Sequence, residues 1–146
     1  MKRFVSVCIL LCFAVWGSIK AQVLTSPDGN VSLDFRLLSD GTPVYSLQYK
    51  GREVIKESRM GFLVSPEFVF CKDFEQIEER TGEADTVWHP VLGQYRDIRD
   101  HHKELFVALR QKDTGWLLNI RFRLFDDGLG FRYEFPVQED LRNFTL

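Results

Sequence analysis

Carboxylates are the most abundant groups in this sequence that could do chemistry. Asp126 and Asp127 are adjacent, and Glu75, Glu78, Glu79, Glu83 and Asp85 crowd one short stretch. Two carboxyl groups about 5–10 Å apart are what glycosidic hydrolysis requires. Asp126-Asp127 runs straight into Gly128, however, and turn chemistry accounts for both acids; the other five read as a solvated surface. His89, His101 and His102 raise metal binding. Neighbours on a strand point to opposite faces, so His101 and His102 do not share an ion on regular backbone. Cys71 has no activating base nearby in sequence and reads as a semi-buried apolar thiol beside Phe70. No Gly-rich phosphate loop, nucleophile elbow or zinc spacing occurs. These residues therefore yield no catalytic assignment and no metal ligand.

The aromatic side chains pose the same choice between ligand and core. Thirteen Phe, four Tyr and three Trp would make a sugar-stacking surface if they clustered on a loop. Most instead occupy alternating positions, which places them in a core between sheets. Trp88 is the exception, because it opens the loop-like stretch Trp88-His89-Pro90-Val91-Leu92-Gly93-Gln94-Tyr95.

The elements that must position these groups are strands. Val31, Leu33, Phe35 and Leu37 alternate with Ser32, Asp34 and Arg36, the period of two that separates a core face from a solvent face. Pro27-Asp28-Gly29-Asn30 before them and Ser39-Asp40-Gly41 after them are turns. Tyr45, Leu47 and Tyr49 alternate again until Lys50-Gly51 closes a hairpin into Val54 and Ile55, so the first fifty residues predict an antiparallel meander. Gly61 to Val64 is a short apolar strand, and Phe68 to Phe70 is either the next strand or its continuation broken by Pro66. Residues 72–85 are polar and acidic without a sustained 3.6-residue pattern, and read as strand or loop. Leu105, Val107 and Leu109 restore alternation, with Phe106 and Ala108 on the other face. Leu118, Ile120, Phe122 and Leu124 continue it. Asp126-Asp127-Gly128 then turns the chain into Phe131, Tyr133 and Phe135, and Pro136 ends that strand. Asn143-Phe144-Thr145-Leu146 has the character of another strand's beginning. The expectation is an all-β antiparallel sandwich, incomplete at its C-terminus.

Residues 1–21 read as a secretory signal: Lys2 and Arg3 precede an almost wholly apolar run from Phe4 to Ile19, shorter than the roughly 20 residues of a membrane span. Cleavage after Ala21 is expected, leaving 22–146 as one domain in the periplasm or outside the cell. Losing Lys2, Arg3 and Lys20 turns 19 basic against 21 acidic residues into 16 against 21. That net negative charge argues against nucleic acid and anionic lipid as partners. Cys71 alone then remains, so no internal disulfide forms.

Two stretches, read together, resemble the N-terminal domain of family 97 of the glycoside hydrolases. The first is Trp88-x-Pro90-x-x-Gly93-x-Tyr95-x-x-Ile98-Arg99, continuing to Glu104-Leu105; the second runs from Arg121 through Asp126-Asp127-Gly128 to Phe135. Ser26-Pro27-Asp28-Gly29-Asn30 and Tyr49-Lys50-Gly51-Arg52 are similar as well. Gln94 stands where the family would have an acid, and His102-Lys103 where it tends to Tyr-Asn. The resemblance implies a galactose-mutarotase-like β-super-sandwich packed against a catalytic (β/α)8 barrel of α-glucosidase or α-galactosidase type. It also implies that the acid, the base or nucleophile and the calcium ligands lie outside residues 1–146. Catalytic and metal residues in this chain are therefore none, with calcium a cofactor of the full-length enzyme only. Trp88, Tyr95, Arg99 and His102 are the candidate contacts with an oligosaccharide or with the neighbouring domain. A free-standing carbohydrate-binding module and a truncated gene product without independent function are the alternative readings.

Overall fold

A computed structural model describes residues 22–65 and 68–138; the expected signal segment, Pro66 and the strand anticipated at Asn143 to Leu146 lie outside the described residues. Every element among them is a β-strand or a turn. The predicted meander forms the first sheet, in the order β1 (Gln22–Thr25), β2 (Val31–Leu37), β3 (Pro43–Tyr49) and β4 (Arg52–Arg59). Its β3–β4 hairpin turns at Lys50 and Gly51, with φ of 49° and 75°. Two positive values are the type I′ geometry whose twist suits paired strands, and glycine supplies the second without strain. A two-stranded piece, β5 (Phe62–Ser65) with β6 (Phe68–Phe70), comes next, as read from the sequence.

The second sheet contains β7 (Phe74–Trp88), β8 (Ile98–Gln111), β9 (Leu117–Phe125) and β10 (Gly128–Glu134), in the order β10-β9-β8-β7. Along β9 every second side chain is buried, as its alternation predicts. Leu105, Val107, Leu109, Leu118, Ile120, Phe122 and Leu124 of this sheet meet Leu24, Val31, Leu33, Phe35 and Leu47 of the first, forming one core. Stacked faces with a shared apolar filling make the chain an antiparallel β-sandwich. Phe62 and Phe70 stack with ring centres 5.3 Å apart, and Phe70 stacks on Trp116 at 5.4 Å, extending the core beneath β5 and β6. The Gly61 N–H donates to the Tyr133 hydroxyl at 2.8 Å, tying the approach to β5 onto β10.

Residues 72–85 differ from their sequence-based reading in extent: from Phe74 onward they belong to one 15-residue strand that continues through Trp88. Phe74 is its buried anchor, and most of the strand beyond Phe74 is exposed because β7 is an edge of its sheet. An edge strand facing water needs no apolar period, so the pattern carried no alternation to read. A shift of register between Gln76 and Glu78 further displaces the phase. Trp88, expected in a loop, is the last residue of this strand.

The turn before β2 closes one end of the sandwich. The Ser26 hydroxyl donates to Asp28 Oδ1 at 2.6 Å and the Asn30 N–H donates to the same oxygen at 2.9 Å, while the Asn30 amide donates to Oδ2. The Asp28 N–H in turn donates to Asp126 Oδ1 at 2.9 Å, joining the turns of the two sheets. These donors, Ser26 foremost, bring the Asp28 carboxyl down to about 2. A carboxyl whose folded-state pKa is depressed stabilises the fold above its unfolded value and loses that contribution as pH falls through the folded one. The urea midpoint should therefore decline between about pH 4 and pH 2, and Asp28→Asn should flatten that part of the profile. Parallel profiles for the two proteins would contradict the role given to this carboxylate.

Candidate functional site

Strands β7 and β8 outrun the rest of their sheet. They pair from Phe74 opposite Gln111 to Trp88 opposite Ile98, whereas β9 accompanies β8 only from Lys103 to Arg110. Residues 84–88 and 98–102 thus form a two-stranded ribbon projecting past the sandwich, and residues 89–97 cross its end. Three of the four predicted contact residues, Trp88, Arg99 and His102, lie on this ribbon, and Tyr95 lies in the end loop.

The pleat distributes them unevenly. His102 is opposite Ala84 and Trp88 of β7 is opposite Ile98, so both lie on the face of the even-numbered row of β8, which points away from the sandwich core. Arg99 belongs to the other row, where its Nε and Nη2 donate to the two oxygens of Asp85, each at 2.7 Å. This two-pronged bond holds the Asp85 carboxyl below the usual carboxylate range and raises the Arg99 guanidinium above its own. Tyr95 is 71% exposed at the tip, beside Val91 at 98% and Leu92 at 90%. The structure brings Trp88 and His102 to one face, fixes Arg99 on the opposite one and leaves Tyr95 apart from both.

The outward face sets His102, a candidate from the sequence, between two groups that sequence reasoning missed, Asp100 and Glu104. Asp100, His102 and Glu104 follow one another along β8, opposite Thr86, Ala84 and Gly82 of β7. Asp100 Oδ1 lies 2.5 Å from His102 Nδ1. A carboxylate only accepts, so Nδ1 is the donor in this contact. The His102 side chain is 5% exposed, covered partly by the Phe125 ring at 5.2 Å. Arg123 Nε donates to Glu104 Oε2 at 3.4 Å, and its Nη1 stands 4.0 Å from Asp100. Together with Glu83, these residues line a trough of about 280 Å³. Beyond Glu104, the Phe106 ring lies between the guanidiniums of Arg80 at 4.4 Å and Arg121 at 4.9 Å. Arg121 is gripped by Glu134 at 2.6 Å and by Glu104, and the Glu134 bond leads in raising its pKa. This layer makes a rigid floor from which the trough side chains project.

Asp100 and Glu104 share a face of β8, and Arg123 reaches both. Glu104 is tied to Arg121 as well as to Arg123. Among the described residues, no group of three or more His, Cys, Asp or Glu is placed to hold a metal ion. His101 and His102 face opposite ways, as regular strand geometry dictates.

Residues 24–146 match the family described as Glycosyl-hydrolase 97 N-terminal. Among solved structures, the fold is similar to a Glycoside Hydrolase Family 97 enzyme from Pseudoalteromonas sp. strain K8, known in complex with panose and with acarbose. For both complexes the TM-score is 0.75 with 31% sequence identity, over 82% of this chain and 18% of that one. A beta-arabinopyranosidase gives a TM-score of 0.73 at 24% identity, over 82% of this chain and 19% of that one, a likeness of fold. The chain therefore spans less than a fifth of the length of these enzymes.

Proposed function

Because this chain belongs to the glycosyl-hydrolase 97 N-terminal family, we propose that it is the non-catalytic β-sandwich of an exported glycoside hydrolase, bearing on a catalytic (β/α)8 barrel and helping to wall its substrate pocket. The observation that carries this reading is the apolar end of the ribbon. Val87, Trp88, Val91, Leu92 and Tyr95 are each at least half exposed there, on the projection built from β7 and β8. Grouped apolar surface of this kind marks a site that another protein surface covers. The length of the similar enzymes supports the catalytic domain as that surface, since this chain covers only 18% of the Pseudoalteromonas chain. Export rests on Lys2, Arg3 and the apolar run behind them. Calcium and the reacting carboxylates belong, on this proposal, to the barrel.

The test titrates the full chain with the catalytic remainder of a family 97 enzyme and repeats the titration with Leu92→Asp. A one-to-one complex is expected, weakened at least tenfold by the buried charge, or about 1.4 kcal/mol. Equal affinity of the two chains would overturn the docking role. Hydrolysis of a glycosidic bond by the chain alone would overturn its non-catalytic assignment.

A further inference from the structure

The trough on the outward face differs in chemistry from the ribbon's apolar end. Its lining offers acceptors at Asp100 and Glu104, donors at Arg123, and a hydroxyl at Thr86 that does both. Arg123 offsets only one of the three lining carboxylates, Glu83, Asp100 and Glu104, so the surface disfavours an anion and is rich in acceptors for hydroxyl groups. Half-exposed Trp88 stands one residue pair beyond Thr86 and Asp100, on the same face. Its ring offers a flat apolar surface next to the polar lining. Gly82 leaves the floor open on the β7 side: an added Cβ there would meet nothing within 4 Å. At about 280 Å³ the trough falls just below the roughly 300–1,000 Å³ of clefts for drug-sized ligands, a size that suits a single sugar ring.

We infer that this trough binds a neutral sugar, with ring hydroxyls on Asp100, Glu104 and Arg123 and an adjoining ring laid against Trp88. Neutral polyhydroxylated ligands match such a lining because each hydroxyl both donates and accepts. His102 is a positioning residue: its Nδ1–H orients Asp100, and burial against Phe125 fixes the imidazole. The choice of an α-glucoside as the probe rests on the glycoside hydrolase reading; the existence of the trough does not.

The experiment uses the full chain with panose and maltotriose as probes, by saturation-transfer NMR and calorimetry. Binding with Kd on the order of 1–10 mM is expected, accompanied by a change in tryptophan fluorescence that Trp88→Phe removes. Gly82→Tyr fills the trough from an open position and should abolish binding while leaving the melting temperature in place. Asp100→Asn should weaken binding at least tenfold, and Leu92→Asp should leave it unchanged. Absence of saturation transfer to either probe, or binding that survives Gly82→Tyr, overturns the inference. Silence of the probes combined with burial of the trough by the catalytic domain overturns it in favour of a protein contact. Retained sugar binding alongside failed docking of the barrel would overturn the docking role alone.

Discussion

Replacing Phe122 with alanine should lower the stability of the sandwich by about 3–5 kcal/mol and its melting midpoint by on the order of 10–20 °C. Phe122 is fully buried on β9, at the middle of the inward row. Its ring centre lies 5.5 Å from that of Phe35 on the opposite sheet, 6.4 Å from Tyr45 and 6.0 Å from Phe131. Truncation empties the point where side chains of β2, β3, β9 and β10 converge, and a strand between two hydrogen-bonded neighbours cannot shift to refill it. Domains of this size are stable by only about 5–15 kcal/mol, so the loss is a large fraction of the whole. Phe122→Leu should recover more than half of it. Equilibrium denaturation of the three proteins would check both figures, and an alanine variant as stable as the parent would refute this account of the core.

Gly41→Ala should do comparable harm by a different route. Gly41 has φ of 74°, a conformation costly for residues bearing a Cβ. A Cβ there would lie 2.4 Å from the backbone nitrogen of Phe74 and 2.6 Å from its carbonyl oxygen. Backbone cannot swing aside as a flexible side chain does. The Gly41 turn is also where the sheets are joined across the crossover: the Asp73 N–H donates to the Asp40 carbonyl at 2.9 Å, and the Phe74 N–H donates to the Gly41 carbonyl at 3.1 Å. Moving the turn breaks both bonds and pulls the buried Phe74 ring from its place. A loss on the order of 3 kcal/mol or more is expected, seen as a fall in urea midpoint beyond that of Gly29→Ala, a control glycine of similar φ in open space. Equal effects at the two glycines would show that φ alone matters and the close approach does not.

The legibility of this molecule in its sequence tracks the burial of its strands. β2 and β9 each have one face in the core, so their alternation declared strand, face and register at once. The Lys50-Gly51 and Asp126-Asp127 turns were equally legible, since few residues suit two-residue hairpins. β7 was not, because water on most of its length leaves composition unconstrained. The candidate site was hidden for the same reason. Asp100, His102 and Glu104 have the spacing of one strand face, but their neighbours Thr86, Ala84 and Gly82 come from β7, whose phase the displaced register at Gln76 conceals. Arg123 could have been added from the outward row of β9, had the pairing of β8 with β9 been known. The bond from Asp28 to Asp126 links positions 98 residues apart, a separation no local pattern encodes.

The unequal reach of β7 and β8 divides the molecule mechanically. Where β9 runs alongside, between Lys103 and Arg110, each rung of β8 is braced from both sides and opens only when the whole sandwich does. From His102 back to Ile98 the brace is missing on one flank. Those outer rungs can bend or part at small cost while the core stays intact. A stiff block thus carries a compliant finger, which can adjust its angle to whatever it touches without spending the stability of the fold behind it.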